Sequence, residues 1–388
     1  MSGQLLERVR LRLANQPLGL VDANLAEVAG HESELLLDST GLTELSGQLR
    51  AELTGAGPLE SLLADPQVTD VLVNAFDQVW LDRGRGLERA EVGFDSDSAV
   101  RRLAVRLAAQ AGRRLDDAAP FVDAALPDGT RLHAILPPLV AHPTVSLRIF
   151  GRRRLGLPDL LELDAMSPPV AQLLTAVVQA RLSLLISGGT GTGKTSLLGA
   201  LLAVADSGDR IVTIEDSAEL QIEHPHVVAL LARPANVERA GAVELAELVR
   251  QSLRMRADRL VVGEFRGAEI VELLTALNTG HAGGAATVHA NSVADVPARL
   301  VALAALGGMD TATLAAQAAS ALDVLVHLRR DRSGLRRVDQ LALWPRRGSE
   351  LGPALVWTRR AGLGSAAAEL RARLLDAEVE LPSLLVAP

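Results

Sequence analysis

The sequence contains no cysteine and no tyrosine, and it has only 5 Phe and 3 Trp in 388 residues. The absence of cysteine excludes disulfide scaffolds, thiol nucleophiles and cysteine-ligated zinc or iron–sulfur sites. The scarcity of aromatic rings argues against base-stacking platforms for nucleic acid. The formal net charge of -8 also argues against a nucleic-acid coat, which needs a basic surface. We therefore do not expect nucleic acid as a partner.

Long apolar runs and a secretory leader are also missing. No run reaches the roughly 18 apolar residues that a membrane-spanning helix needs. Met1–Arg12 is charged and amphipathic and lacks the apolar core of a signal peptide. We therefore expect a cytoplasmic protein without direct membrane insertion. With 48% hydrophobic residues, the chain is expected to bury real cores in about two or three domains.

Lysine is almost absent, since Lys194 is the only lysine among 39 basic residues. A GC-rich genome favours arginine codons over lysine codons, and this bias accounts for the arginine excess. It does not account for the position of the single exception, which makes Lys194 a candidate functional residue.

Turn residues and hydrophobic periodicity divide the chain into five parts. Residues 1–56 are expected to form a helical region, and residues 57–150 a small α/β domain. Residues 151–165 include three consecutive arginines and a Gly-Leu-Pro, which favours a linker. In residues 166–345 strands and helices alternate, which predicts a mainly parallel sheet with helices on both faces. Residues 346–388 are expected to be a C-terminal tail.

A phosphate-binding loop is predicted at Gly188-Gly-Thr-Gly-Thr-Gly-Lys194-Thr195, which matches G-x-x-x-x-G-K-[ST] between an apolar strand and an apolar helix. Glycines let backbone N–H groups converge on phosphate oxygens, and the helix N-terminus adds partial positive charge. Lys194 is expected to reach the β- and γ-phosphates, and the Thr195 hydroxyl to bind Mg²⁺. The predicted nucleotide-binding residues of this loop are Gly188, Gly189, Thr190, Gly191, Thr192, Gly193, Lys194, Thr195 and Ser196.

Polar side chains follow three further predicted strands. Glu215-Asp216, Glu264 and His289 each stand where an apolar strand ends. In a parallel sheet these ends share the edge that carries the phosphate loop. One carboxylate would orient or deprotonate the attacking water, and another would hold Mg²⁺, mostly through its waters. The sequence leaves open whether Glu215 or Glu264 has each role.

Four segments around these residues resemble the signature boxes of the ATPases of type II and type IV secretion and pilus assembly. They are most similar to the tight-adherence (Tad, CpaF-like) branch. Five shorter segments between Gly57 and Phe150 resemble the N-terminal half of the same group, so the resemblance covers roughly residues 57–345. It implies a RecA-like P-loop domain preceded by a smaller α/β domain. The four boxes are Thr213–Leu220, Arg250–Arg256, Val261–Arg266 and Asn278–Ser292.

The resemblance also implies roles for single residues. Glu215 matches a carboxylate that orients water or metal, and Glu264 matches the Walker B glutamate, a candidate base. His281 and His289 match histidines that couple the γ-phosphate to the subunit interface. The matching arginines are Arg131 and Arg148, which would close over the nucleotide, and Arg250, Arg254, Arg256 and Arg266, which would contact the nucleotide or a neighbouring subunit.

The function implied by the resemblance is an ATP-hydrolysing motor that uses ATP and Mg²⁺. Family members form homo-hexameric rings that work at the inner face of the cytoplasmic membrane with membrane platform proteins. Hydrolysis would drive the extrusion of subunits through the platform. Two alternatives stay open, namely an ATP-binding assembly scaffold with little hydrolysis and a conjugation-type motor that transfers DNA.

Overall fold

The computed structural model consists of two compact units, Met1–Arg152 and Arg153–Pro388. The prediction of a helical region at residues 1–56 lies outside the described residues, apart from residues 55 and 56. The described residues are 55–84, 86–149, 154–233, 235, 240–331, 333–346 and 352–386.

The first unit is built around an antiparallel sheet with the strand order β3-β2-β1-β6-β5-β4 in its described part. A short 3₁₀ turn, Gly57–Leu59, leads into a first helix, α1, at Glu60–Ala64. The strands are β1 Asp70–Ala75, β2 Gln78–Asp82, β3 Leu87–Arg89, β4 Phe121–Ala125, β5 Arg131–Ile135 and β6 Thr144–Arg148.

A second helix, α2 at Asp97–Gln110, packs on one face of this sheet. Ser96 caps the helix by accepting a hydrogen bond from the Ala99 backbone N–H at 3.3 Å. The buried residues of α2 recur at helical spacing and contact the inward-facing residues of the strands, which alternate along each strand. These buried residues are Val100, Leu103, Ala104, Leu107 and Ala108.

The second unit contains the predicted parallel sheet. Its strand order is β15-β14-β13-β12-β7-β11-β10-β8-β9 among the described residues. The six strands from β12 to β9 run parallel, and β13 to β15 extend the sheet in antiparallel pairs. The strands are β7 Leu184–Gly188, β8 Ile211–Glu215, β9 Val227–Leu231, β10 Arg259–Val262, β11 Ala285–Val288, β12 Val324–Arg330, β13 Arg336–Leu343, β14 Ala354–Thr358 and β15 Gly362–Leu363.

Helices of the second unit lie on both faces of the sheet. Leu184 and Ile186 of β7 belong to one apolar core, whereas Leu185 belongs to the other, because neighbouring strand residues point to opposite faces. No single helix of the described chain is long and apolar enough to span a membrane; Val293–Leu306 and Thr311–Ala321 meet that test only as a pair bent by 117°. The helices are α3 Leu157–Glu162, α4 Pro168–Gln179, α5 Lys194–Leu202, α6 Leu245–Ser252, α7 Ile270–Leu277, α8 Val296–Leu306, α9 Thr311–Ala321 and α10 Ala367–Asp376, with 3₁₀ turns at Val293–Asp295 and Ser383–Leu385.

Two segments outside the predicted ATPase domain, residues 166–345, fold as parts of the second unit. Helix α3 lies within the predicted linker, and its Leu160 packs in the same core as β7. In the predicted tail, β14 pairs with β13, and Leu370 and Leu374 of α10 are buried. The structure therefore extends the domain beyond residue 345, because the short strands and the Ala- and Arg-rich helix bury apolar residues that their composition alone did not reveal.

Candidate active site

The phosphate loop connects β7 to α5 at the carboxyl edge of the parallel strands. Gly191 and Gly193 have φ angles of 69° and 91°, a left-handed conformation that glycine adopts without steric cost. A Cβ atom on Gly188 would lie 2.6 Å from Thr192 Oγ1 and 2.7 Å from the Leu328 carbonyl oxygen. Glycines are therefore required by backbone geometry and by close packing at this turn.

The Lys194 side chain is folded back over the loop and is only 7% exposed. Its Nζ donates to the carbonyl oxygens of Gly188 and Gly189 at 3.2 and 3.1 Å, and it lies 3.3 Å from His289 Nδ1. The ammonium therefore stands at the first turn of α5, where a helix N-terminus attracts anions.

Glu264 and His289 come to the same place from the ends of β10 and β11. His289 Nε2 lies 2.5 Å from Glu264 Oε1, and Lys194 Nζ lies 4.0 Å from that oxygen. Within the described residues no donor is aligned well enough to hydrogen-bond this buried Oε1 atom. The other oxygen, Oε2, accepts from Arg266 Nε at 2.8 Å and Nη2 at 2.5 Å. Four charged or polar side chains thus converge beside the phosphate loop.

The pKa of His289 is lowered by burial and, secondarily, by the positive charge of Lys194, although Glu264 acts in the opposite direction. A neutral imidazole has one acceptor and one donor nitrogen. Lys194 can only donate, so Nδ1 is the acceptor and Nε2 carries the proton that faces Glu264.

Glu215, at the end of β8, is 4% exposed. Its Oε1 accepts from the backbone N–H groups of Glu219 and Leu220 at 3.1 and 2.9 Å. Burial raises the pKa of its carboxyl to about 7, against the lowering effect of these two hydrogen bonds. A carboxyl with a pKa near neutrality is suited to accepting a proton at physiological pH.

The Glu215 side chain packs directly against Gly263, where a larger residue would leave no room for it. A Cβ atom at Gly263 would lie 2.8 Å from Glu215 Cγ and 3.0 Å from its Oε1. We therefore expect Gly263→Ala to displace the Glu215 side chain, with a stability cost of about 1–3 kcal/mol and a loss of ATP turnover. Urea denaturation and phosphate release measure the two effects. In the control Gly352→Ala, where a Cβ meets no atom within 4 Å, unchanged values are expected; a silent Gly263→Ala would contradict the prediction.

The oxygen donors at this edge fit Mg²⁺ bound with a nucleotide. Thr195, Glu215 and Glu264 supply one hydroxyl and two carboxylates, which are the ligand types that Mg²⁺ prefers. In the described ranges no three His, Asp or Glu side chains form a cluster that could hold a metal ion without other ligands. The hydroxyl of Thr195 and the carboxylates of Glu215 and Glu264 match Mg²⁺, which is commonly held by one or two carboxylates together with substrate phosphates and water.

The structure does not bring His281 to the phosphate loop. His281 precedes β11, and its Nδ1 lies 3.0 Å from the Ala276 carbonyl oxygen. Because β11 runs parallel to β7, with Val288 opposite Ser187, His281 lies at the opposite edge of the sheet, roughly 10 Å or more away by strand rise. A direct part for His281 in the chemistry of its own subunit is therefore not supported.

The predicted interface arginines other than Arg266 are exposed, and two of them make contacts within α6 or with α7. Arg250 pairs with Glu247 at 2.8 Å and Glu272 at 2.7 Å, and Arg254 donates to the Arg250 carbonyl at 3.2 Å. All three arginines are exposed and precede the start of β10, whereas Glu264 follows its end. The third of these residues is Arg256. The predicted contacts of all three with a neighbouring subunit stay predictions.

Arg131 and Arg148 belong to the first unit, where they stand opposite each other on β5 and β6. Arg148 Nε lies 3.6 Å from Asp70 Oδ1, and Arg131 Nη2 lies 3.6 Å from Asp123 Oδ2. The two arginines are therefore partly exposed neighbours on that sheet, each near an aspartate. Their predicted contact with the nucleotide stays a prediction.

Two further residues near the loop were missed because β12 and β13 were not predicted. His327 of β12 is buried against Ser187. Arg336 begins β13, and its Cδ would lie 3.8 Å from a Cβ placed on Gly193. The apolar run Val324–Leu328 before the two arginines was the available indication of a strand.

Comparison with known proteins agrees with this arrangement. Residues 52–350 match the family model of the type II/IV secretion system protein. The chain belongs to the type II/IV secretion system protein family. This confirms the identification of a secretion motor ATPase from the sequence, whereas the tight-adherence branch stays a prediction.

Relatives in this family cover most of the chain. It is 51% identical over 340 residues to "Putative conjugal transfer protein MT3759" of Mycobacterium tuberculosis (strain CDC 1551 / Oshkosh), covering 85% of this chain and 97% of that one. It is 33% identical over 309 residues to the type IV secretion system protein PtlH of Bordetella pertussis, covering 72% and 91%. The conjugal transfer protein TrbB of Rhizobium radiobacter is 31% identical, covering 71% and 83%.

Solved structures confirm the fold. The Legionella pneumophila ATPase DotB matches with a TM-score of 0.50 at 19% identity, over 81% of this chain and 83% of that one. The Yersinia pseudotuberculosis ATPase DotB matches with a TM-score of 0.51 at 13% identity, over 82% and 84%. The second unit accordingly has a RecA-like fold, and the first is a smaller α/β domain.

Proposed function

We propose that this family member hydrolyses ATP as the motor subunit of a pilus-assembly or secretion apparatus. The observation that supports this best is the meeting of three side chains, two from the ends of β10 and β11 and one from the phosphate loop after β7. Lys194, Glu264 and His289 lie within 4.0 Å of one another in pairs. A loop that binds no ligand would not need a buried ammonium beside a carboxylate and an imidazole.

The two carboxylates differ in a way that separates their roles. Glu264 lies beside Lys194 and is held by Arg266, so it is on the side of the β- and γ-phosphates, where it would hold Mg²⁺ through water. Glu215 has a pKa of about 7, which suits the base that accepts a proton from the attacking water. This reverses the roles that the sequence resemblance favoured for these two residues.

The remaining steps need positioning and charge compensation rather than covalent chemistry. Lys194 and the N–H groups of the loop would bind the β- and γ-phosphates. Bound Mg²⁺ would supply charge neutralisation between those phosphates. His289, neutral and placed between Lys194 and Glu264, would orient both groups, since its Nδ1 accepts from Lys194 and its Nε2 proton faces Glu264.

The assembly is proposed from the family resemblance. A homo-hexameric ring at the inner face of the cytoplasmic membrane would act on membrane platform proteins. The half-exposed side chains of Arg250 and Glu247 on α6 offer charged groups for a subunit contact. Size measurement by light scattering with Mg²⁺ and a non-hydrolysable ATP analogue would test the ring.

A conjugation-type motor is the second candidate, because two relatives are named conjugal transfer proteins. We expect Mg²⁺-dependent release of many phosphates per chain, lost with EDTA, and the same rate with or without single-stranded or duplex DNA. Acceleration by DNA would favour the second candidate. An absence of turnover with retained ATP binding would favour the assembly scaffold and overturn the proposed function.

A further inference from the structure

The turn between β12 and β13 lies at the same edge of the sheet as the phosphate loop. Strand β12 runs parallel to β7 with Leu328 opposite Gly188, and it continues to Arg330. Strand β13 returns antiparallel and begins with Arg336 opposite Arg330. Arg336 is therefore two residues beyond the level of Gly188, roughly 6–7 Å at the rise of an extended strand, in the direction of the loop.

The Arg336 side chain reaches the loop itself. It shares a face of β13 with Val338, because alternate residues of a strand point the same way, and Val338 packs in the core that contains Leu197 of α5. Its Cδ lies 3.8 Å from the position that a Cβ would take on Gly193, which is the N-cap of α5. The guanidinium begins at the next atom, so an exposed side chain brings a permanent positive charge beside the first turn of α5.

The backbone on both sides of Arg336 is held by hydrogen bonds. The Asp331 N–H donates to the Leu335 carbonyl at 2.9 Å, and Asp331 Oδ1 accepts from the Leu335 N–H at 3.0 Å. Asp331 Oδ2 accepts from Arg337 Nη1 at 2.8 Å, and Arg337 also pairs with Asp164, just after α3. Arg336 therefore starts from an ordered backbone position.

Two cations and a helix N-terminus adjoin the loop, which favours a polyanion across it. Lys194 lies with Glu264 and His289 on the side of β11 and β10, where the γ-phosphate is proposed to bind. Arg336 lies on the other side of β7, where β12 and β13 continue the sheet. A phosphate chain with its γ-end at Glu264 then has its α-end on the side of Arg336.

We propose that Arg336 binds the α-phosphate of the bound nucleotide through its guanidinium. This group presents donors in a fixed planar arrangement that suits phosphate oxygens. Hydrolysis takes place at the γ-phosphate, so a contact at the α-phosphate stabilises substrate and transition state alike and contributes affinity rather than rate. The proposal deepens the proposed function and rests on its nucleotide site.

Equilibrium binding of Mg-ADP to the full chain is the first test. Arg336→Ala should weaken binding about tenfold, because it removes a hydrogen bond between two charged groups. The KM for ATP should rise by a similar factor, with kcat within about twofold of the wild-type value. An unchanged affinity, or a loss in kcat with an unchanged KM, would overturn the proposal.

Arg371→Ala is the matched control for the loss of one positive charge. Arg371 is exposed on α10, so this variant should bind Mg-ADP like the wild type. A loss equal to that of Arg336→Ala would overturn the proposal, since the effect would then be one of net charge. Thermal unfolding of both variants shows that the comparison is made on folded protein.

Two further variants separate a phosphate contact from stacking on the base. Arg336→Lys keeps the charge without the planar group and should recover part of the affinity, whereas Arg336→Gln keeps a planar amide without charge and should resemble Arg336→Ala. The loss in Arg336→Ala should be equal for Mg-ADP and Mg-CDP, because both carry the same α-phosphate. Tighter binding by the glutamine than by the lysine variant, or a loss confined to ADP, would indicate stacking and overturn the proposal.

Failure of this inference and failure of the proposed function are distinguishable, because binding of Mg-ADP needs no turnover. A chain that binds Mg-ADP with the help of Arg336 but does not hydrolyse ATP would overturn the motor function alone. A chain that hydrolyses ATP and binds Mg-ADP equally well without Arg336 would overturn this inference alone. A chain that binds no nucleotide would overturn both.

Discussion

Replacing Lys194 by arginine is expected to reduce ATP turnover by at least about 100-fold, nearly as much as replacing it by alanine. Lys194 is 7% exposed and its ammonium fits between the Gly188 and Gly189 carbonyls and His289. A guanidinium is planar and wider, and its donors fan outward. It would displace His289 or the loop before it could reach a phosphate.

Stability should respond much less than turnover. Each Lys194 hydrogen bond to a carbonyl contributes roughly 0.5–1.5 kcal/mol net, and removing a buried cation recovers part of that through lost desolvation. Phosphate release at saturating Mg²⁺-ATP and thermal unfolding of Lys194→Ala and Lys194→Arg measure the two effects. Near-normal turnover of the arginine variant would refute the geometric argument, and full turnover of the alanine variant would refute the ATPase assignment.

Arg371→Lys is the matched control for exchanging these two cations. Arg371 lies on the exposed side of α10, where surface substitutions change stability by no more than about 0.5 kcal/mol. We expect this variant to keep wild-type turnover. A loss of turnover there would mean that the assay responds to lysine–arginine exchange in general.

The central strands of the second unit were predictable because they are buried on both sides. Arg259–Val262 and Ala285–Val288 read as short apolar runs and have those bounds in the structure. Their carboxyl ends placed Glu264 and His289 correctly, since all parallel strands end at one edge. Strand β12 was missed because its apolar run ends in arginines, and with it the buried contact of His327 with Ser187 was hidden.

His281 shows the limit of a motif. The segment Asn278–Ser292 contains both histidines, and the resemblance placed them together. Between them lies strand β11, whose length separates the two side chains across the sheet. Sequence proximity and motif membership carry no statement about which end of a strand a residue occupies. The split between Glu215 and Glu264 was likewise invisible, because it depends on burial.

Replacing Glu215 by glutamine is expected to abolish most turnover while making the protein more stable above neutral pH. As the proposed base, Glu215 would contribute about 100- to 10,000-fold to the rate. Glutamine keeps the Oε1 acceptor for the Glu219 and Leu220 N–H groups but cannot accept a proton. In the wild type, turnover should rise with pH through about 7 as Glu215 loses its proton, and this limb should be missing from the variant's residual rate.

The stability effect follows from the raised pKa. Burial raises the Glu215 pKa from 4.5 to about 7, so between these values the folded chain retains a proton that the unfolded chain has released. Wild-type stability therefore falls as pH rises through this window, by up to about 3 kcal/mol at roughly 1.4 kcal/mol per pKa unit. Glutamine carries no charge and escapes this loss.

Denaturation of both proteins from pH 5 to 8.5 tests this directly. The stability advantage of Glu215→Gln should be small at pH 5, grow with pH and level off above about pH 7. Glu223→Gln, an exposed change on the same segment, should show no such trend. An advantage that is independent of pH would contradict the raised pKa, and normal turnover in Glu215→Gln would transfer the role of base to Glu264. A buried carboxyl that weakens the fold at working pH and is nevertheless present is best explained by catalysis, because a neutral glutamine would pack equally well.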